Sequence, residues 1–268
     1  MRQIWFFAAP RDWNFEIGPA RTADMKLLSL SVAILALWSL PVCAGPPYVT
    51  DDPQPTDEGH FEIYGFTAGA ATSDGFGGQA GIDFNYGGAA DLQLTMVVPF
   101  AYEAPNRRPS ISGFGDIEVA AKYRFLHQDS FGLDVAFFPR LFVPTNSDPA
   151  LGTRHTALFL PIFAQKDWDN WSIFGGGGCK LNHGRDSQDF CQMGIVVTRR
   201  VTPYLQLGVE VYHQTPDERG ARQTTGIGVG AIYDLSENLH LMASAGPGVQ
   251  NVDATNQASW YAALLFTY

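Results

Sequence analysis

The sequence predicts an all-β protein: a single closed antiparallel transmembrane β-barrel of about twelve strands, connected as an up-and-down meander. Three observations predict this fold. Segments in which polar and apolar residues alternate recur along the chain, and the connections between them alternate between short and long. The chain also ends in an alternating segment whose last residue is aromatic. Because successive side chains of a strand point to opposite faces, such segments suit a sheet between lipid and water.

The stretch GDIEVAAKYRF (115–125) shows the alternation most clearly, since its four charged residues fall on alternate positions with apolar residues between them. A soluble sheet with one face in water would show the same pattern. The composition, with only 16% of the residues charged against about 25% in ordinary soluble proteins, fits neither a disordered chain nor a helical bundle. The signal peptide, the alternation of short and long connections and the aromatic C-terminus favour the membrane barrel. We therefore expect the apolar face of this strand to contact lipid and its charged face to line a lumen.

The N-terminal region is expected to be removed before the barrel forms. Residues 1–24 are predicted to be a non-native upstream extension, and residues 25–44 a signal peptide with the aliphatic core LLSLSVAILALWSL. That core is shorter than the roughly 20 residues of a spanning helix, and Ala44 ends a small-residue cleavage site. Lipidation of Cys43 is the alternative. Residues 45–58 are predicted to be a Pro-rich periplasmic lead, and residues 59–268 the barrel.

Twelve segments are predicted to be strands: 59–70, 78–87, 90–101, 114–126, 131–143, 155–165, 170–182, 189–199, 203–213, 223–233, 238–247 and 257–268. Short connections alternate with longer ones along the second half of the chain, as periplasmic turns and outer loops do in outer-membrane barrels. In the final stretch, ASWYAALLFTY, Trp260, Phe266 and Tyr268 share one face. This stretch resembles the terminal strand that the barrel-insertion machinery of bacteria recognises.

Two further stretches, GFGDIEVAAKYRFL (113–126) and LFVPTNSDPALGT (141–153), resemble a bacterial family named for the MetA pathway of phenol degradation. The resemblance covers most of residues 50–268, although Asn146 stands where the family pattern has glycine. It implies a barrel in the outer membrane of a Gram-negative bacterium, in contact with lipid, that takes up small molecules passively. Aromatic or other hydrophobic solutes are the class that it implies.

A ring of this size is about 24 Å across at the backbone and leaves a gap of about 10–14 Å between side chains. The polar residues expected to line that gap are Asp83, Asn85, Asp116, Glu118, Lys122, Arg124, Asp134, Arg140 and Glu210. They would form either a mixed-charge selectivity lining for a solute or an ion-pair network that fills a closed structural or adhesive barrel. Both alternatives are open at this stage.

Other residues that could bind a metal, form a disulfide or take part in catalysis give weaker signals. Cys179 and Cys191 lie symmetrically about the turn NHGRDSQ, where they form either a disulfide across a hairpin or two free thiols facing lipid. The histidines lack metal-ligand spacing, so neither a metal nor a cofactor is expected. A net charge of −10 argues against nucleic acid as a partner. We predict no catalytic residues; a hydrolase that uses Ser187 and His183 is the lesser alternative.

Overall fold

The computed structural model describes residues 47–268 except 147, 149, 150, 154 and 184–186. The predicted upstream extension, signal peptide and cleavage site after Ala44 lie outside the described residues. The described chain forms a closed antiparallel β-barrel of twelve strands, which confirms the predicted fold class. No helix among these residues has the length and apolar character needed to cross a membrane.

Each predicted strand segment overlaps one strand of the barrel. The strands are β1 (Phe61–Thr72), β2 (Gly75–Ala89), β3 (Leu92–Pro105), β4 (Ile111–Phe114 and Ile117–Leu126), β5 (Asp134–Phe137 and Arg140–Val143), β6 (Ala157–Trp168), β7 (Trp171–Leu181), β8 (Phe190–Thr202), β9 (Leu205–Gln214), β10 (Thr224–Ser236), β11 (Leu239–Gly246 and Gly248–Gln250) and β12 (Ala258–Thr267). A helical turn at Gln128–Phe131 follows β4, and a 3-10 turn at Val252–Ala254 follows β11.

Three strands are interrupted, two of them at a proline. Pro139 falls within β5 and Pro247 within β11, and proline cannot donate the backbone hydrogen bond that a ladder requires. The third break, in β4, falls at Gly115 and Asp116. The ladder therefore continues past each break with a bend, which explains why the pieces count as single strands of the ring.

Sequential strands pair with each other, and the ring closes between the last strand and the first. Along this seam ten consecutive residue pairs run in register, from Glu62 with Thr267 to Ala71 with Ala258. Because every strand then has a neighbour on both sides, no sheet edge with unpaired N–H and C=O groups is presented to lipid.

Alternating residues give the barrel an apolar outer face. In β3, Leu94, Met96 and Phe100 are each more than 40% exposed, although they are large and apolar. Aromatic side chains are exposed where the short turns lie, among them Trp168, Trp171, Tyr204 and Tyr233. An apolar band with an aromatic girdle is the outer surface of a barrel that stands in a membrane.

The two ends of the barrel differ in their connections. The short-turn end carries the turns 90–91, 169–170, 203–204 and 237–238, together with the helical connection 127–133. The long-loop end carries the loops 106–110, 144–156, 182–189, 215–223 and 251–257, and the tight turn 73–74. In outer-membrane barrels the short turns face the periplasm and the long loops face outward.

Candidate functional site

Residues 47–58 form an extended segment inside the barrel, named here the lumenal segment. Its hydrogen bonds reach Gln93 of β3, Lys122 of β4, Glu210 of β9 and Ser244 of β11. A segment that contacts strands around a closed ring can do so only from within the lumen. From their proline content, residues 45–58 were predicted to be a lead in the periplasm. Proline content indicated a segment outside the sheet, but gave no information about where that segment docks.

The lumenal segment docks through its own backbone donors. The N–H groups of Val49 and Thr50 donate to the two carboxylate oxygens of Glu210 at 3.0 and 2.6 Å. The N–H of Thr56 donates to the side chain of Gln93 at 2.9 Å. Prolines have no N–H to satisfy, and an unpartnered buried N–H costs about 1–3 kcal/mol. Side chains of the wall therefore take the place of a neighbouring strand.

Glycines on the inner wall make room for the segment. A Cβ added at Gly194 would contact the hydroxyl of Thr50, and one added at Gly208 would contact the hydroxyl of Tyr48. At Gly230 the added atom would lie 2.7 Å from the Tyr48 ring. These three strands of the wall, β8 to β10, are thus shaped to the lumenal segment by the absence of side chains.

Ion pairs occupy one side of the lumen. The Lys122 ammonium lies 3.0 Å from Asp51 and 3.9 Å from Asp52 of the lumenal segment. Arg140 of β5 donates to both oxygens of Glu118 on β4, at 2.7 and 3.0 Å. Such forked pairs hold both partners in one geometry.

A second group of charges lies closer to the short-turn end. Arg124 lies 2.7 Å from Asp91 and also donates to the side-chain oxygen of Gln54. Gln54 in turn donates to Asp134 at 3.1 Å. The side chain of Gln54 is thereby held between a cation and a carboxylate of the wall. Together with the first group, these residues form what we call the charged wall, on β3 to β5.

The remaining predicted lining residues divide between two places. Asn85 donates to Asp83 at 2.9 Å and accepts from Gln93 at 2.6 Å, so both belong to the polar network of the charged wall. Asp116 instead lies at the long-loop end, where it accepts a 2.7 Å hydrogen bond from the Thr153 hydroxyl and another from Asn146. Its contacts therefore anchor the loop 144–156, a role that alternation alone did not indicate.

A second part of the lumen wall, which adjoins the charged wall at β3, is apolar. Inward side chains of β1, β3 and β10 to β12 form one buried cluster, the apolar wall: Tyr64, Phe66, Ala68, Val97, Ile232, Met242, Ala263 and Leu265, with Tyr261 packed against it. The rings of Phe66 and Tyr261 are stacked with centroids 6.2 Å apart. Sequence reasoning did not identify this wall, although FEIYGFTAGAAT (β1) and ASWYAALLFT (β12) are apolar on both faces.

Burial changes the acid–base properties of the lumenal segment. Asp52 is fully buried, and this burial raises its pKa well above the ordinary value, while the Lys122 ammonium opposes the shift. Burial, reinforced by the Glu210 carboxylate, also raises the pKa of the Tyr48 hydroxyl. A proton on Asp52 therefore favours the docked segment.

The other candidate groups lie at the long-loop end. Cys179 and Cys191 face each other across the β7–β8 hairpin and are joined by a disulfide. Ser187 pairs through its backbone with Glu218, and His183 lies 3.6 Å from Asp189 with a largely exposed side chain. Within the described part of the chain no three metal-binding side chains come together.

Known proteins share this architecture. A family described as "Putative MetA-pathway of phenol degradation" matches residues 47–263. An outer membrane channel from Pseudomonas putida F1 has a TM-score of 0.65 at 15% identity, over 81% of this chain and 97% of that one. The NanC porin (TM-score 0.53) and the KdgM porin in complex with disordered oligogalacturonate (TM-score 0.50) are each 10% identical, over 78% of this chain and 99% of theirs. No curated protein matches. With the family match extending over most of the barrel and the lumenal segment, the chain belongs to the family described for the MetA pathway of phenol degradation.

Proposed function

We propose that this protein is an outer-membrane channel for the passive uptake of small aromatic or otherwise hydrophobic molecules, and that the lumenal segment closes it at rest. The observation that carries the proposal is the two-sided lumen. One wall is apolar and contains the stacked Phe66 and Tyr261, and the other binds the lumenal segment by hydrogen bonds and ion pairs. A membrane anchor or a purely structural barrel requires neither.

The apolar wall supports the solute class. Stacked or edge-on contacts between aromatic rings contribute about 0.5–1.5 kcal/mol beyond area burial, so an aromatic solute gains from sliding along Phe66 and Tyr261. The phenol-degradation description of the family and the channel and porin structures of the same fold agree with this proposal. We find no group in the described lumen that calls for a covalent step.

The lumenal segment has to move for a solute to pass, because it lies inside the barrel and is bound to the wall on several strands. At its C-terminal end it continues into β1. If the chain is cleaved after Ala44 as predicted, its N-terminal end is free, so the segment is tethered on one side only. We propose that it leaves the wall and returns without any unfolding of the barrel.

The remaining parts of the proposal concern the membrane. Outer-membrane lipid contacts the apolar band, and the insertion machinery recognises the terminal strand through Trp260, Phe266 and Tyr268. The short-turn end, from which β1 begins, faces the periplasm. Purified outer-membrane fractions and accessibility labelling of the loop 215–223 on whole cells test these placements.

The experiment is a conductance measurement on the purified barrel in planar lipid bilayers. Wild-type protein is compared with a variant that lacks residues 48–55. The proposal predicts brief openings in the wild type and a sustained current in the deletion variant. Proteoliposome uptake of benzamide, an uncharged aromatic solute, should rise in parallel.

A closed structural barrel is the second candidate, and the dense ion pairing of the charged wall favours it. In that case removal of the segment exposes a lumen that collapses or stays blocked by its own side chains. A correctly folded deletion variant that passes neither current nor solute would support this candidate and contradict the channel.

A further inference from the structure

Lys180 of β7 differs from the other inward-facing cations of the barrel. Four of those cations each have a carboxylate partner at 2.7–3.2 Å: Lys122, Arg124, Arg140 and Arg200. Among the described residues, no carboxylate lies within ion-pair distance of the Lys180 ammonium. Its nearest partner is an aromatic ring: the nitrogen lies 3.4 Å from the ring centroid of Phe142.

Aromatic residues flank Lys180 on both neighbouring strands. Its cross-strand neighbours are Phe159 on β6 and Phe190 on β8, and both are buried. With Phe142, they make the wall around Lys180 aromatic, and Lys180 itself is only 5% exposed. A desolvated ammonium without an anion is unfavourable, and a cation–π contact compensates for only part of that cost.

The carboxylates whose charge acts on Lys180 are Glu118, Asp116 and Asp217, and each has other partners. Glu118 accepts both hydrogen bonds of the Arg140 fork. Asp116 accepts from the backbone N–H and the hydroxyl of Thr153. Glu118 and Asp116 cannot turn toward Lys180 without breaking those contacts, so the ammonium has no ion pair with a described residue of the wall.

The position of Lys180 suits a first contact with a solute. It precedes by one residue the end of β7 at the long-loop end. Gly176 lies four residues deeper on the same strand. It pairs with Gly194 of β8, which lies against Thr50 of the lumenal segment. Four residues of strand correspond to about 13 Å, so a molecule that enters from the long loops reaches Lys180 before it reaches the lumenal segment.

From these contacts we propose that Lys180, with Phe142, Phe159 and Phe190, binds the carboxylate of a small aromatic acid at the entrance of the lumen. The rings contact the aromatic body of the solute, and the ammonium pairs with its carboxylate. This inference rests on the proposed uptake function and narrows its substrate class from hydrophobic molecules to aromatic carboxylates.

The test is the binding of benzoate to the detergent-solubilised, full-length barrel. Saturation-transfer NMR measures this binding. Benzamide, which has the same shape without the charge, serves as the neutral ligand. We expect Lys180→Gln to raise the Kd for benzoate about ten-fold or more and to change that for benzamide by less than about two-fold. Lys180→Arg should retain the preference for benzoate.

Two controls keep the result interpretable. Lys166→Gln removes an outward lysine of the same hairpin, whose ammonium donates to the Gly132 carbonyl, and should leave both affinities unchanged. The heat-dependent shift of the folded barrel on electrophoresis shows that each variant has folded. An unchanged benzoate affinity in folded Lys180→Gln overturns the inference.

Binding and conductance separate this inference from the function on which it rests. Loss of benzoate binding in Lys180→Gln, together with an absence of current from the segment-deletion variant, retains the site and rejects the channel. Current in the deletion variant, together with equal benzoate binding in wild type and Lys180→Gln, retains the channel and rejects the site.

Discussion

The charged wall binds the lumenal segment, whereas the apolar wall only borders it. Lys122, Arg124 and Asp134 contact the side chains of Asp51 and Gln54. On the apolar side, the hydrogen bond to the segment comes from Ser244, which donates to the carbonyl of Pro47. Hydrogen bonds and ion pairs are directional, so they fix one docked position; an apolar surface accepts many ligands of similar shape.

This difference assigns separate tasks to the two walls. In the proposed channel, the charged wall, together with Glu210 on β9, would set how often the segment is docked. The apolar wall would set which solute takes the place of the segment. Substitutions on the two walls should therefore change different quantities, and the predictions below test that separation.

Removal of residues 48–55 is expected to have the largest effect, because it eliminates the partners of Lys122, Arg124 and Asp134 in the lumenal segment, together with the two N–H groups that bind Glu210. Mean current in planar bilayers should rise from brief openings to a sustained level. Deletion of an equal length from the exposed loop 215–223 is the matched control and should leave the wild-type behaviour. Equal currents in the two deletions would remove the basis for assigning closure to the segment.

Glu210→Ala should give the next largest effect, since the N–H groups of Val49 and Thr50 lose their acceptor. Each lost bond costs about 1–3 kcal/mol, which corresponds to roughly ten-fold or more in the ratio of docked to undocked segment. Open probability in bilayers measures that ratio. Glu210→Gln keeps an acceptor and should lie between the wild type and Glu210→Ala.

Substitution on the apolar wall should leave open probability unchanged and reduce affinity for aromatic solutes. Phe66→Leu and Tyr261→Leu remove the stacked pair, whose contribution to an aromatic contact is about 0.5–1.5 kcal/mol. We expect the Kd for benzamide, measured by saturation-transfer NMR, to rise by about two- to ten-fold. A change in gating without a change in affinity would show that the walls do not act separately.

The smallest effect expected is a dependence of gating on pH through Asp52. Its pKa is raised in the docked segment, so docking takes up a proton and is favoured as pH falls toward the ordinary value of 3.8. The contribution is lost as pH rises through the raised pKa. Lys122, Asp51 and Glu62 are the charges that face this carboxyl.

Open probability should therefore fall on acidification and rise on alkalinisation. Asp52→Asn removes the titrating group and keeps the hydrogen bond that Asp52 accepts from the N–H of Gln54 at 2.6 Å. This variant should gate with a weaker dependence on pH than the wild type. The same slope in both proteins would assign the titration to another group.

The sequence was sufficient to predict those features that depend on residues close together in the chain. Alternation fixes which face of a strand a residue occupies, so the strands and the inward positions of Glu118, Lys122 and Arg124 followed from a period of two. The same rule places the two cysteines on one face of a hairpin. Local periodicity also explains why the strand ends differ from the prediction by only a few residues.

Partners that are distant in the chain could not be predicted in this way. Lys122 is paired with Asp51, 71 residues earlier, and Glu210 with the N–H of Thr50, 160 residues earlier. The lumenal segment has no periodicity, because its contacts come from a surface that exists only once the ring has closed. Asp116 was assigned to the lining for the same reason: alternation gives its face, but not the loop that covers it.

A reversible cross-link between the lumenal segment and the wall tests the central claim most directly. The Ser244 hydroxyl of β11 donates to the carbonyl of Pro47 at the start of the lumenal segment. Pro47→Cys with Ser244→Cys, in a background of Cys179→Ser and Cys191→Ser, therefore brings a thiol of the segment next to a thiol of the wall without filling the space beside Gly194. The account predicts no openings in the oxidised protein and wild-type openings, in the same bilayer, after a reductant is added. An oxidised, fully cross-linked barrel that conducts as the wild type does would show that the segment does not close the lumen.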